Sequence, residues 1–261
     1  MTTIDLVADI GESFGAYTMG DDSRLLKTLT SANVACGFHA GDPLTMDACV
    51  EACVTHGVAI GAHPSFPDLI GFGRRAMSLT RDELRTDVLY QVGALAAFAR
   101  ARGATLTHLS PHGMLGNLVM SDPHYANGVA DAVETYGDLT IFTLQGHLVT
   151  QARRRGLPVV VLGAIDRAHE DDGSLVSRRE PGAVIHDVNE IVDRALSMVL
   201  DGSITSRAGN RIEIECQSLL LHGDNVTSIE AAERVKEALE REGISIAPAV
   251  PVVPAVHVPS E

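Results

Sequence analysis

The sequence predicts an α/β fold built on a parallel sheet, and three observations carry that expectation. Short runs that are apolar almost throughout recur along the chain, each ends in a polar or Gly-rich loop, and each loop leads into a segment of helical periodicity. Strands covered by helices on both faces need continuous apolar runs, not alternating ones. Seven strand–helix units over about 240 residues suit either an open doubly wound sheet or a (β/α) barrel, and periodicity does not separate the two.

Each element has its own reason. Residues 4–8 form the first strand, and the glycines of the next loop precede a helix near 23–29. Residues 32–35 are a second short run. Residues 45–56 read as helix, with Cys49 and Cys53 four positions apart on one face. Residues 58–62 are the third strand, followed by a long amphipathic helix over 81–102. The fourth strand is 107–110, and Asp122 is placed to cap a helix over 123–135. The pattern continues with strand 140–144, helix 148–155, strand 159–162, helix 188–200, strand 218–221 and helix 229–242. Residues 1–246 are expected to be one domain. In 247–261, Pro248, Pro251, Pro254 and Pro259 forbid helix and interior strand, leaving an extended tail. Such a tail is either a disordered end or an arm packed on a second copy in a homo-oligomer.

Charge narrows the function. Twenty Lys and Arg against 34 Asp and Glu give a formal charge of −14 among 261 residues, a sign that repels phosphate backbones and anionic lipid. No run of apolar residues is long enough to span a membrane, and the first residues lack the basic and apolar regions of a signal peptide. Cys36, Cys49, Cys53 and Cys216 show no zinc-ribbon spacing. A core of this size needs no disulfide staples, so a reduced, cytoplasmic chain is expected.

The informative pattern lies in the residues just after each strand. The first run leads to Asp9, with Glu12 beyond it. The second leads to Cys36-Gly37-Phe38-His39-Ala40-Gly41-Asp42, the third to His63-Pro64-Ser65, and the fourth to Pro111-His112-Gly113. A later run precedes Asp166-Arg167, and the last ends in His222-Gly223-Asp224-Asn225. Folds of this class gather ligands and catalytic groups at the carboxyl ends of their strands. Asp9, His39, His63, His112 and His222 are therefore expected in one site. Imidazoles beside carboxylates suit general acid–base catalysis, or a divalent metal that activates water, held by Asp9, His39 and His63. Asp42 also fits an N-cap for the helix that Pro43 opens. Gly71-Phe72-Gly73-Arg74-Arg75 offers amides and two cations to an anion. No phosphate-binding GxxxxGK[ST] loop, dinucleotide GxGxxG turn or GxSxG elbow is present.

Several longer segments are similar to one family. Asp9-Ile10-Gly11-Glu12-Ser13-Phe14-Gly15, Ser31-Ala32-Asn33-Val34-Ala35-Cys36-Gly37-Phe38-His39-Ala40-Gly41-Asp42-Pro43, Gly61-Ala62-His63-Pro64-Ser65-Phe66-Pro67-Asp68 and His222-Gly223-Asp224-Asn225 resemble the LamB/YcsF family. Met19-Gly20-Asp21-Asp22, the Gly71 to Arg75 stretch, Pro111-His112-Gly113, Asp172-Gly173-Ser174-Leu175-Val176 with Arg178, and Pro181-Gly182-Ala183-Val184-Ile185 continue it. The resemblance implies a distorted (β/α) barrel of about seven parallel strands, related to glycoside hydrolases and deacetylases. It also implies hydrolytic opening of a cyclic amide, 5-oxoproline, to glutamate. That reaction is coupled to ATP hydrolysis and needs two further subunits, which would handle the ATP.

On this reading Asp9 or Glu12 with His63 activates water, and His39, His112 and His222 serve the oxyanion or the leaving nitrogen. Asp42, Arg74, Arg75, Asn117, Asp166, Arg178 and Asp224 are the expected substrate-binding residues. Three positions depart from the family pattern: Val7 and Ala8 stand where it has Asn-Cys, and Ser110 where it has Lys. Gly116 also replaces its usual aromatic residue. Two other functions fit these features: a stand-alone hydrolase of another lactam or imide without ATP, and a non-catalytic subunit of a carboxylase-like complex.

Overall fold

A computed structural model describes residues 2–223 and 227–252. In chain order the elements are β1 (Thr3–Ile10), α1 (Asp22–Leu25), β2 (Ser31–Ala35), α2 (Pro43–His56), β3 (Ala59–His63), α3 (Arg81–Ala101), β4 (Leu106–Leu109), α4 (Gly113–Ser121) and α5 (Pro123–Tyr136). They continue with β5 (Thr140–Thr143), α6 (His147–Arg155), β6 (Val159–Ala164), α7 (Val188–Leu196), β7 (Ser203–Thr205), β8 (Arg211–Glu213), β9 (Ser218–Leu221), α8 (Thr227–Arg241) and β10 (Ser245–Ile246).

Strands β1 to β6 pair in order, β6 pairs with β9, and β9 returns to β1, all in parallel. The sheet is thus a closed seven-strand barrel, which decides the question that periodicity left open. Closure removes both sheet edges and gives every strand one face inward and one face toward the helices. On β1, Ile4, Leu6, Ala8 and Ile10 join the large outer core between sheet and helices. Val7 points the other way, into a small interior cluster with Phe142, Val160, Leu162 and Leu220. Asp5 and Asp9 share that inward parity.

Helix starts follow the expected capping chemistry. Asp42 accepts from the amides of Leu44 and Thr45 with Pro43 in the first turn, and Asp122 accepts from the amide of His124. Thr80 and Glu83 form a reciprocal capping box at α3. Among the described residues no helix is long and apolar enough to cross a membrane. The four cysteines are free, and burial pushes the thiols of Cys36 and Cys53 up to about 12.

Three features differ from the sequence reading. Helix α4 occupies residues left unassigned, because its glycines and all-round apolar character hide its period. The antiparallel pair β7–β8 sits in the polar stretch between β6 and β9, where a π-helical turn at Ser197–Asp201 ends the helix begun by α7. The start of the tail is packed: just beyond β10, which pairs with Thr3 and Ile4 of β1, Ala249 and Val250 pack on the interior cluster. The residues beyond 252 lie outside the described ones.

Asp5 closes the amino end of the barrel. Its carboxylate accepts from the hydroxyls of Thr30 (2.5 Å), Ser31 (2.8 Å) and Ser218 (2.6 Å), and from the amide of Ala249. Burial outweighs these bonds and raises its pKa above the ordinary 3.8. A carboxyl with a raised folded pKa binds its proton more tightly when folded, so stability gains as pH falls from that value toward 3.8. Asp5→Asn removes this gain. The stability of the variant relative to the wild type should decline as pH is lowered through the window, measured by urea unfolding at several pH values. A chain ending at Ile246 loses Ala249 and Val250 from the barrel floor, and its thermal midpoint should fall by about 5–10 °C, the equivalent of about 2–3 kcal/mol. An unchanged midpoint would show that these contacts carry no stability.

Candidate active site

The site starts from a single row of the barrel. Asp9 on β1, Asn33 on β2, Gly61 on β3 and His108 on β4 are register partners in sequence across four strands. Thr107 Oγ1 lies 2.8 Å from His108 Nδ1, and His108 Nε2 donates to Asn33 Oδ1 at 3.0 Å. Asn33 Nδ2 then donates to Asp9 Oδ1 at 2.9 Å. The ring of His108 spans β3 only because Gly61 has no side chain: a Cβ there would overlap the imidazole at Nε2. Burial, with His63 next, holds the His108 pKa down to about 3, so the ring stays neutral. This row aims a fixed donor at Asp9.

Above it lies a second layer. His63 ends β3, His112 is the N-cap of α4, His39 sits in the loop after β2, and Glu12 in the loop after β1. His63 Nδ1 donates to the carbonyl of Ser110 at 2.6 Å, and His112 Nε2 donates to that of Phe72 at 3.0 Å. Phe72 has φ of 54°, a left-handed conformation unusual for an aromatic residue and a mark of local strain. The inward nitrogens, His63 Nε2 and His112 Nδ1, are 3.0 Å apart, and His63 Nε2 is 3.2 Å from Asp9 Oδ1. His39 stacks on His112 with centroids 4.0 Å apart and planes within 7°. Glu12 Oε1 is 3.5 Å from His112 Nδ1 and 3.7 Å from His39 Nε2.

The charges of this layer follow from burial and proximity. Burial works against ionising Asp9, but the charge and hydrogen bond of His63, with His222 and His112, more than offset it, and the carboxyl is held well below the usual range. Burial first, and then the neighbouring histidines, push His39 and His112 well below 6.5. One donor atom each from Glu12, His39, His63 and His112 lies within 4.8 Å of the others, a group that could hold a metal ion. The set expected from sequence was Asp9, His39 and His63; the fold adds Glu12 and His112 and leaves Asp9 beside His63.

A second pair stands apart. His222, just after β9, places Nδ1 2.9 Å from both oxygens of Asp166, and its backbone amide donates to Asp166 at 3.0 Å. Burial opposes ionisation of Asp166, while the charge and bonds of His222 prevail and lower its pKa. Asp166 is itself buried. It orients His222 and is not among the residues that line the cavity.

Asp9, His63, His112 and His222 line one cavity of about 1250 Å³ at the carboxyl ends of the strands. Asn117, Arg74, Arg75 and Arg178 line it as well, whereas Glu12 and His39 lie behind its floor. The guanidinium of Arg74 sits 4.9 Å over the Phe72 ring. Arg75 is ion-paired with Asp68. Asp42 is outside the cavity, occupied with capping α2 and with the amide of Gly15 at 2.7 Å. Asp224 lies outside the described residues. Of the departures, Ser110 lines the cavity, Val7 lies in the interior apolar cluster, and Ala8 faces the helices in the outer core. Ala8 does not point into the site, because its strand parity is opposite to that of Asp9.

Sequence reasoning passed over Asn33, Gly61 and His108. For Asn33 and Gly61 the signal is positional, since Ser31 and His63, two residues away, share their inward face. His108 has no such signal, because the register shifts between Ile60 and Gly61 and Leu106, two residues before it, belongs to the outer core. A closed parallel barrel whose strand ends carry a buried histidine–carboxylate cluster, an oriented Asp–His pair and cavity-lining arginines defines a class, that of barrel enzymes equipped for hydrolysis. Within that class the chain belongs to the LamB/YcsF family, whose model matches residues 4–253. It is 45% identical over 247 residues to the A subunit of 5-oxoprolinase from Pyrococcus furiosus, covering 94% of this chain and 97% of that one. It is 46% identical over 248 residues to the corresponding 5-oxoprolinase protein of Geobacillus kaustophilus, with 94% and 96% covered. The crystal structure of the lactam utilization protein from Thermus thermophilus matches with a TM-score of 0.89 at 41% identity, over 94% of this chain and 99% of that one.

The row beneath Asp9 makes a direct prediction. Gly61→Ala forces the His108 ring out of its place and should cost about 3 kcal/mol or more, as overpacking at its upper range does. Denaturant midpoints of Gly61→Ala and of Gly93→Ala, where a Cβ meets nothing within 4 Å, would provide the comparison. Equal midpoints would show that the row is not under steric control.

Proposed function

We propose that this chain hydrolyses the cyclic amide of 5-oxoproline to glutamate, as the A-type subunit of an ATP-coupled complex with two further subunits. The observation that supports this most is the sharing of one cavity by Asp9 and the Asp166-held His222, on a chain that aligns along nearly its whole length with relatives named as the A subunit of 5-oxoprolinase. An amide is stabilised by resonance, so opening it requires an activated water, a stabilised oxyanion and an acid for the departing nitrogen. Asp9, ionised and at the cavity floor, orients and deprotonates the water. His222 hands a proton from Nε2 to the ring nitrogen, while Asp166 holds its Nδ1–H and the orientation of its ring. Arg74 and Arg178, on the cavity wall, bind the substrate carboxylate, for which guanidinium is well shaped. ATP is handled by the partner subunits, since this chain has no phosphate-binding loop among its strand–helix turns.

Ser110 favours a second reading. It lines the cavity at the position where the family pattern carries a lysine. Losing that cation changes the charge a ligand meets, and a stand-alone hydrolase of another lactam or imide fits such a change. Purified chain tested on a lactam panel, with and without ATP and partner subunits, separates the two. Turnover of 5-oxoproline only with ATP and partners is the expected outcome, and ATP-independent turnover of another ring by the chain alone would favour the second.

Substitutions test the roles. Asp9→Asn keeps the shape and removes the charge, and turnover should fall by about 10²–10⁴-fold with little change in KM. Asp166→Asn leaves His222 without its anchor and should cost a factor of similar order. His56→Ala, on the exposed face of α2, should leave the rate unchanged. Near wild-type turnover in both Asp9→Asn and Asp166→Asn would refute the assignment.

A further inference from the structure

We propose that His39, His63, His112 and Glu12 form a binding site for one divalent cation of the zinc class, at the cavity floor. Four segments at the ends of four successive strands contribute one donor atom each, all within 4.8 Å. Two backbone carbonyls decide the tautomers. A carbonyl oxygen only accepts, so His63 carries hydrogen on Nδ1, facing Ser110, and His112 carries it on Nε2, facing Phe72. In their neutral forms the inward nitrogens therefore present lone pairs to each other at 3.0 Å, with the oxygens of Asp9 and Glu12 at 3.2 and 3.5 Å. Acceptors at such distances repel unless a cation lies among them, either a proton on His63 Nε2, the state that pairs with Asp9, or a metal ion.

His39 makes the same demand independently. It is 1% exposed, and neither of its ring nitrogens has a hydrogen-bond partner among the described residues. An imidazole so placed has lost its water without replacement, unless a metal takes the lone pair. Histidine ligands that pass their outer N–H to a carbonyl are the usual support of a metal site, fixing ring and tautomer together. Three imidazoles and a carboxylate suit zinc, with cobalt as a close substitute. Bonds of about 2.0–2.2 Å span at most about 4.4 Å between donors, so the widest pair draws in on loading. Asp9 and the His222–Asp166 pair remain outside this set. Bound there, the ion would supply Lewis acidity to an amide oxygen or a water at the floor.

The inference rests on ligand geometry and not on the lactam reading, so its test avoids turnover. Full-length protein is stripped with a chelator, reloaded with Zn²⁺ or Co²⁺, passed through a desalting column and assayed by elemental analysis. About one ion per chain is expected, with a rise in thermal midpoint on loading. The Co²⁺ form should show the visible absorption of a tetrahedral or five-coordinate nitrogen–oxygen site. His39→Ala and His63→Gln should each reduce retained metal at least tenfold and abolish the rise in midpoint, whereas His56→Ala retains both. If a variant does not fold, the wild-type cobalt spectrum and stoichiometry still decide. Wild-type protein that retains less than a tenth of an ion per chain, or uptake undiminished in folded His39→Ala, would overturn the site; a proton shared between His63 and His112 would then hold the cluster together.

Discussion

The mouth of this barrel depends on keeping the Asp9 carboxylate charged inside a closed sheet. A buried charge is costly unless it is paired and hydrogen-bonded. Here Asn33 supplies the hydrogen bond and His63 the partner, while His108 and Thr107 fix the direction of the Asn33 amide. Every member of that row must stand at the same height on its strand, so strand register is also site geometry. Gly61 shows how tight the condition is, since the row passes through the space where a side chain would be.

The barrel divides its labour between two faces of the same strands. Outward residues such as Leu6, Val34 and Ile141 build the large core against the helices, and supply most of the apolar burial that drives folding. The inward face spends little on apolar packing. Its interior cluster is small, flanked by Asp5 with three hydroxyls at one end and by the Asp9 row at the other. Polar groups in such a place are tolerated where they have partners, and the two ring nitrogens of His39, without a hydrogen bond among the described residues, point to an ion.

Above the floor, two histidines serve under different restraints. His222 is held by a carboxylate and His112 by a carbonyl, and each contact fixes the tautomer and orientation of its ring. On the roles proposed above, these two settings on one cavity give an acid and a ligand from the same residue type. The arginines of the wall bring positive charge to the mouth of an otherwise strongly acidic chain, and so direct small anions to it.

The order of residues alone was enough for the class of fold, most of the strands and helices, and the identity of the strand-end histidines and carboxylates. These are local properties: apolar runs, caps such as Asp42 and Asp122, and polar residues immediately after strands can all be read along the chain. The family resemblance already implied a barrel of about seven strands; three-dimensional packing was needed to learn which strands close it, that Ala8 turns away from the site while Asp9 turns into it, and that Asp166 serves His222 and not the cavity. It brought Asn33, Gly61 and His108 into line with Asp9, and made Glu12 and His112 neighbours of His39. The reason is physical. Closure and register are set by pairing between strands distant in sequence, and a side chain's partners across a barrel leave no period in the chain that carries them.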